Sequence, residues 1–300
     1  MNTTIINKTI QLNDGRILGY TEFGNPESTP IFHFHAWPGS RLETKLIHYL
    51  FKEHQESGVR LIGIDRPGIG LSTFKTGRKI LDWPNDVSEF ADKLGIDRFC
   101  VQGISGGGPY AAACAFKIPD RLISCCIISG ISPLYFGTEG MNISNRFVFF
   151  IAKWFPWLLR LFLWASIGRY SQFLEKVDAL IARSLSKLPE PDRALLSKPD
   201  IRKIFAEVTC EAFLQGSKGP AYEGRLYSLP WGFKLDEIKF DKIYLYHGEL
   251  DTNVPFTNAK LMADSIPKCK TKFFKNDSHL SVGFNNYEEI KKSILNNLSS

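Results

Sequence analysis

The pentapeptide Gly103-Ile104-Ser105-Gly106-Gly107 restricts this chain more than any other stretch. It joins an apolar, strand-like run, Arg98-Phe99-Cys100-Val101-Gln102, to a helix-like run that opens near Pro109. A serine on a sharp strand-to-helix bend needs small neighbours two positions to either side, because a Cβ there would obstruct the backbone segments that the bend brings together. The N-terminus of the following helix then offers free amide donors beside the serine. Pro109 suits the first helical turn, where its missing N–H costs nothing. With 24 glycines in the chain the pentapeptide alone is weak evidence. Its place between a strand and a helix gives it weight.

The rest of the chain supplies the matching alternation. Runs at Pro30 to His35, Arg60 to Ile64, Phe99 to Gln102, Ile123 to Ser129 and Ile243 to Tyr246 read as strands, several apolar on both faces as in a parallel sheet. The N-terminal MNTTIINKTI reads as a first strand, and Lys270 to Phe274 is strand-like. Helical patterns fall at Arg41 to His54, Lys79 to Leu94, Pro109 to Phe116, Asn258 to Ile266 and Glu288 to Leu298. This predicts an α/β fold, a mostly parallel twisted sheet covered by helices. The rhythm stops between Ile131 and about Phe233, where the sequence is helical and rich in Trp, Phe and Leu. The expected organisation is therefore residues 1–131 and 234–300 as one α/β domain, with 132–233 as a helical insertion.

Composition narrows the class. Three hundred residues, 44% hydrophobic and 23% charged, suffice for a large globular core. The net charge of +6 is scattered, which argues against nucleic-acid binding. Six cysteines without a CxxC pair, four of them in apolar runs, read as reduced buried thiols. The N-terminus lacks the basic and apolar regions of a signal peptide, so a cytoplasmic location is expected. Phe147 to Ile167 is long enough to span a bilayer, but Lys153, Pro156 and Arg160 interrupt it, and a buried or interfacial helix pair is expected instead of stable membrane insertion.

A serine hydroxyl needs a base, and the base an orienting acid. Of six histidines only His247 and His279 follow Ser105. His247 ends a strand and precedes Gly248, which reads as structural; His279, in the polar loop Asn276-Asp277-Ser278-His279, is the better base. Glu249, Asp251 and Asp277 compete as the acid. Asp251 lies far enough out on its loop to turn back beneath an imidazole, Glu249 points towards solvent, and Asp277 is too close in sequence to reach the His279 ring easily.

At this point the chain resembles the α/β-hydrolase superfamily, in its lidded, cofactor-free branch of esterases, lactonases, perhydrolases and proline iminopeptidase-like enzymes. The resemblance rests on five ordered blocks: His35-Ala36-Trp37-Pro38-Gly39-Ser40, Asp65 to Ser72, the Ser105 elbow, His247 to Pro255, and the His279 loop. It implies a Ser105–His279–Asp251 triad that hydrolyses a small to medium apolar ester, thioester or lactone through an acyl-enzyme, with no cofactor. It also implies an oxyanion hole from the backbone N–H groups of Trp37 and Gly106. The family usually has His-Gly where this chain has His35-Ala36. If that backbone needs positive φ, alanine costs about 1 kcal/mol and shifts the hole. The Asp65 to Ser72 block reads as a structural turn, with Gly68 and Gly70 serving backbone geometry. His33-x-His35 has no third ligand cluster beside it, so no metal is expected. Serine at the elbow excludes the dehalogenase and epoxide-hydrolase chemistries that use aspartate there.

The expected partner is a small apolar acyl substrate, with Trp154, Trp157 and Phe162 of the insertion as pocket residues. On one continuous helix Lys153 and Arg160 would lie about 40° from Trp157 and Trp164, leaving a narrow apolar stripe that reads as acyl-binding rather than bilayer-anchoring. A ligand sensor with slow turnover, a lid that docks on membranes and a proline iminopeptidase-like peptidase stay open as alternatives, and the sequence carries no signal for oligomeric state.

Overall fold

The computed structural model describes residues 3–53 and 58–295. Eight strands form one sheet: β1 (Thr3–Gln11), β2 (Ile17–Gly24), β3 (Thr29–Phe34), β4 (Val59–Ile64), β5 (Phe99–Ile104), β6 (Leu122–Ile128), β7 (Ile243–Gly248) and β8 (Lys270–Phe274). Their order is β1-β2-β4-β3-β5-β6-β7-β8. β1 and β2 pair antiparallel, β2 pairs antiparallel with β4, and the remaining strands run parallel. The central strands alternate between two apolar faces. Phe32, Val101, Cys125 and Leu245 enter one core, while Ile31, Cys100, Cys126 and Tyr244 enter the other. This two-sided burial explains their continuous apolar character.

Around the sheet pack α1 (Thr44–Glu53), α2 (Trp83–Lys93) and α3 (Gly108–Lys117). Six helices then intervene between β6 and β7: α4 (Ile143–Trp154), α5 (Pro156–Ser166), α6 (Leu174–Ser184), α7 (Glu190–Leu196), α8 (Pro199–Ala212) and α9 (Lys218–Ser228). α10 (Phe256–Ser265), α11 (Ser281–Asn285) and α12 (Tyr287–Leu295) complete the chain. The predicted helices reaching His54 and Leu298 extend beyond the described residues. Strand β2, which is not among the runs read as strands from the sequence, is eight residues long and packs as the antiparallel neighbour of β4.

Two features matter for function. The run from Phe147 to Ile167 is split, because α4 ends at Trp154 and Pro156 occupies the first turn of α5. Lys153 and Arg160 therefore sit on different helices, and the angles expected for one continuous helix do not apply. No helix among the described residues is long and apolar enough to cross a membrane. Second, four of the six thiols, Cys100, Cys114, Cys125 and Cys126, are buried and unpaired, and burial pushes each of them up from the usual thiol range.

Register sets the working edge. Phe34 pairs with both Ile64 and Gly103, so the segments after β3, β4 and β5 leave the sheet side by side. Gly248 pairs with Phe274, which brings the loops after β7 and β8 together. All these loops lie at the carboxyl ends of parallel strands, where open α/β sheets hold their ligands.

Candidate active site

Ser105 stands at the end of β5 with φ 51°, a left-handed conformation that costs a non-glycine residue of order 1–3 kcal/mol. The bend survives because its neighbours lack side chains. A Cβ on Gly107 would lie 2.0 Å from the Phe34 carbonyl oxygen, and one on Gly103 would lie 2.3 Å from the Gly107 carbonyl oxygen. The turn aims the serine at His279, whose Nε2 is 2.9 Å from Ser105 Oγ. His279 Nδ1–H donates to Asp251 Oδ2 at 2.7 Å.

Asp251 is fixed in turn. Its other oxygen accepts from the backbone N–H groups of Asn253 and Val254 at 2.8 and 2.9 Å. Burial opposes its ionisation, but the imidazole and these hydrogen bonds hold the carboxyl below the usual carboxylate range. Burial likewise opposes protonation of His279, and the Asp251 carboxylate overrides it, raising the imidazole above the ordinary histidine value. His247 lies 3.3 Å from Asp251 and its Nε2–H donates to the Val254 carbonyl at 2.9 Å. Burial lowers its pKa, so it braces the acid loop as a neutral ring. Asp277 accepts from Asn285 and Asn286 at 2.7 and 2.8 Å, and Glu249 is joined to the Phe274 carbonyl through its backbone. Of the three competing acids, Asp251 is the one bonded to His279.

The segment from His35 to Trp37 faces the elbow. A Cβ on Gly106 would lie 3.1 Å from the Trp37 nitrogen, so the two backbones pass in contact. Ala36 is not among the described residues with positive φ, which removes the strain expected of alanine at this position. Its N–H donates to Glu43 at 2.8 Å and its carbonyl accepts from His35 Nδ1 at 2.8 Å. His33 is engaged too, through Glu43 at 2.9 Å and Gln102 at 3.1 Å.

Sequence reasoning missed the groups that hold this segment. Arg66, inside the block read as a turn, donates to the His35 carbonyl at 2.7 Å and to the Ala36 carbonyl at 3.2 Å. It pairs with Glu223 of α9, which also accepts from Arg78 at 2.7 Å, Tyr110 at 2.9 Å and Tyr227 at 3.0 Å. All five side chains are buried. Burial disfavours the Glu223 charge, but the two guanidiniums hold its carboxyl far below the usual carboxylate range. α9 also accepts the Trp37 indole N–H at the Pro220 carbonyl, 2.8 Å away. On the other side, Asp192 of α7 accepts from the N–H groups of Leu280 and Ser281 at 3.0 and 2.9 Å, directly after His279. Nothing in the sequence sets Asp192 and Glu223 apart from the other carboxylates of the insertion.

A cleft of about 560 Å³ opens above Ser105 and His279. Ile131, Val148, Phe149, Phe162, Leu163 and Ile167 supply its apolar wall, and Ser144, Asn145 and Asn253 add polar groups. Phe162 lines the cleft. Trp154 and Trp157 do not; they are 61% and 67% exposed on the outer side of α4 and α5.

Replacing Glu223 by Gln leaves two buried guanidiniums without a counter-charge, a change that costs about 3–5 kcal/mol. Because the folded carboxyl is held low, its contribution is complete above the unfolded value of about 4.3 and is lost only as pH falls through the lower folded value. Urea unfolding of Glu223→Gln at neutral pH is expected to show that loss, and a change below about 1 kcal/mol would contradict it.

Comparison with known proteins follows the same lines. The family model described as alpha/beta hydrolase fold matches residues 29–285. A bifunctional esterase/perhydrolase of Acinetobacter calcoaceticus is 28% identical over 134 residues, 43% of this chain and 47% of that protein. It is one of three relatives that the chain spans over less than half of their own length. A pimeloyl-(acyl-carrier protein) methyl ester esterase of Legionella pneumophila is 24% identical over 85% of this chain and 89% of that protein. An esterase structure from Rhodococcus superposes with a TM-score of 0.68 at 17% identity, covering 97% of this chain and 98% of that one, which is a likeness of fold. With the family match running from the first residue of β3 to the last of α11, the chain belongs to the α/β-hydrolase fold family.

Proposed function

We propose that the protein is a serine hydrolase that cleaves small to medium apolar esters, thioesters or lactones through an acyl-enzyme. The observation that carries this reading is the continuous relay from Asp251 through His279 to Ser105, with spacings of 2.7 and 2.9 Å, at the floor of an open cleft. His279 Nε2 takes the proton as Ser105 Oγ adds to the acyl carbon. The tetrahedral oxyanion is received by the N–H groups of Trp37 and Gly106. The protonated imidazole, stabilised by Asp251, gives its proton to the leaving oxygen or sulfur, and water then repeats the sequence to release the acid. The chemistry uses side chains and amides of this chain alone.

The apolar wall supports acyl recognition by burial. A peptidase of the iminopeptidase kind needs a negative group for the substrate's α-amino group. The described residues lining this cleft include no Asp or Glu, and the nearby Glu223 is neutralised by two arginines.

Ser105→Ala is expected to abolish covalent labelling by a fluorophosphonate and to lower p-nitrophenyl ester hydrolysis by several orders of magnitude, because triad members act as a unit. Hydrolysis retained in that variant would overturn the assignment.

Asp251→Asn is expected to lose about 10³–10⁴ in kcat, whereas Glu249→Gln loses less than about tenfold. The sign of the pH dependence follows from His279. The base must be neutral, and its pKa is raised, so kcat/KM falls as pH drops through a value above the ordinary histidine pKa of about 6.5. An acidic limb that is flat, or the opposite ranking of the two variants, contradicts the roles of His279 and Asp251.

Each methylene that fits the cleft buries enough surface to improve kcat/KM about threefold, for about 0.8 kcal/mol, until the wall is filled. A p-nitrophenyl ester series is expected to peak at about four to eight acyl carbons. Highest activity on acetate with a steady decline would contradict an acyl site lined by Val148, Phe162 and Leu163.

A further inference from the structure

The outer faces of α4 and α5 are built alike. On α4, Ile143, Phe147, Phe150 and Trp154 follow at steps of four, three and four residues, and all four are exposed. At 3.6 residues per turn they fall within about 60° of one another. On α5, Trp157, Leu161 and Trp164 form an equally narrow exposed stripe. Three of the six tryptophans of the chain stand on these two stripes.

Each stripe has cations along the same edge. Arg146 and Lys153 lie about 60–80° to one side of the α4 stripe, and Arg160 lies about 60° to the same side of the α5 stripe. Broken at Pro156, the run thus forms two short amphipathic helices. From Gly140 to Leu174 the chain contains Arg146, Lys153, Arg160 and Arg169 and no Asp or Glu. None of these four cations has a carboxylate partner among the described residues. Lys153 lies 5.1 Å from the Trp154 ring, at the rim of a groove of about 480 Å³ that the α4 stripe lines.

We propose that the paired outer faces of α4 and α5 dock on the surface of an anionic lipid bilayer. Exposed tryptophan beside cations is the composition that the headgroup region favours, since the rings enter the acyl boundary while the cations meet lipid phosphates. The unopposed positive charge selects anionic over neutral lipid. A second copy of this chain would carry the same cations to the contact and repel. The docking face also continues into the cleft: Phe147 of the α4 stripe is 6.4 Å from the ring of Phe162, which lines the wall above Ser105. Docking would bring the cleft to the lipid surface, yet it does not depend on the hydrolase reading, since it concerns binding alone.

The test is sedimentation of the Ser105→Ala chain with vesicles of phosphatidylcholine, with and without about 30 mol% phosphatidylglycerol. Binding to the anionic vesicles is expected to exceed binding to neutral ones by about tenfold or more and to weaken as salt is raised. Phe150→Ser/Leu161→Ser/Trp164→Ser is expected to lose that binding while, with Ser105 intact, hydrolysing a soluble p-nitrophenyl ester like the parent, which shows the fold is kept. Lys153→Glu/Arg160→Glu is expected to lose the preference for anionic lipid. The proposal is overturned by equal or absent binding to the two vesicle types, by binding that survives both sets of substitutions, or by a dimer without vesicle affinity that the triple variant separates into monomers. Loss of ester hydrolysis in the parent would bear on Ser105 and leave the vesicle result standing.

Discussion

The site depends on one strained residue that its surroundings make tolerable. Ser105 sits in a left-handed conformation, and the sheet accepts it because Gly103 and Gly107 leave room for the backbone to fold back on Phe34. Relaxing that turn would carry Oγ away from His279 and would part Gly106 from Trp37. Strain at the elbow, the hydrogen bond to His279 and the close approach of Gly106 to Trp37 are thus one geometric fact. The parallel register extends it, since Phe34 paired to Gly103 and Gly248 paired to Phe274 deliver all the partners to one edge.

The helical insertion does more than cover that edge. Glu223 joins Arg66, whose guanidinium holds the His35 and Ala36 carbonyls, and Asp192 holds the first amides after His279. Carboxylates from two inserted helices thus reach the two loops that flank the serine. Moving α9 outward would strand Arg66 and Arg78 in a dry interior, a large penalty. The helices α4 and α5 are different, because Leu159, Leu163 and Phe149 attach them through apolar packing. The insertion combines a charged anchor at one end with an apolar, outward-facing pair of helices at the other.

Much of this is legible in the sequence because the signals are local. The elbow, the strand that leads into it and the β/α alternation each lie within a dozen residues, and the parallel strands announce themselves by being apolar on both faces. Asp251 is separable from Glu249 and Asp277 by loop length alone. What the sequence does not yield is long-range. Arg66 and Glu223 are 157 positions apart, and neither has a neighbour that marks it as buried. Ala36 looks strained by analogy, but its own φ is unexceptional once Glu43 and Arg66 are in place. Trp154 and Trp157 read as pocket residues because the aromatics of this run are too many for one helix face, and the linear sequence does not say which of them pack, line a cleft or face outward. The faces that α4 and α5 bury, Phe149, Ile151 and Ala152 on one and Leu159 and Leu163 on the other, leave both rings exposed.

Acyl transfer to Ser105 is the central claim, and it has a direct physical signature. Rapid-quench mixing of the protein with excess p-nitrophenyl ester, followed by intact-mass and peptide mass spectrometry, reads the acyl group where it sits. The account predicts a burst approaching one nitrophenolate per chain and an acyl mass on the peptide that contains Ser105, formed before steady state and discharged by water. Sustained hydrolysis with the acyl group on another residue, or with neither a burst nor an adduct under conditions where deacylation is slow, would contradict it.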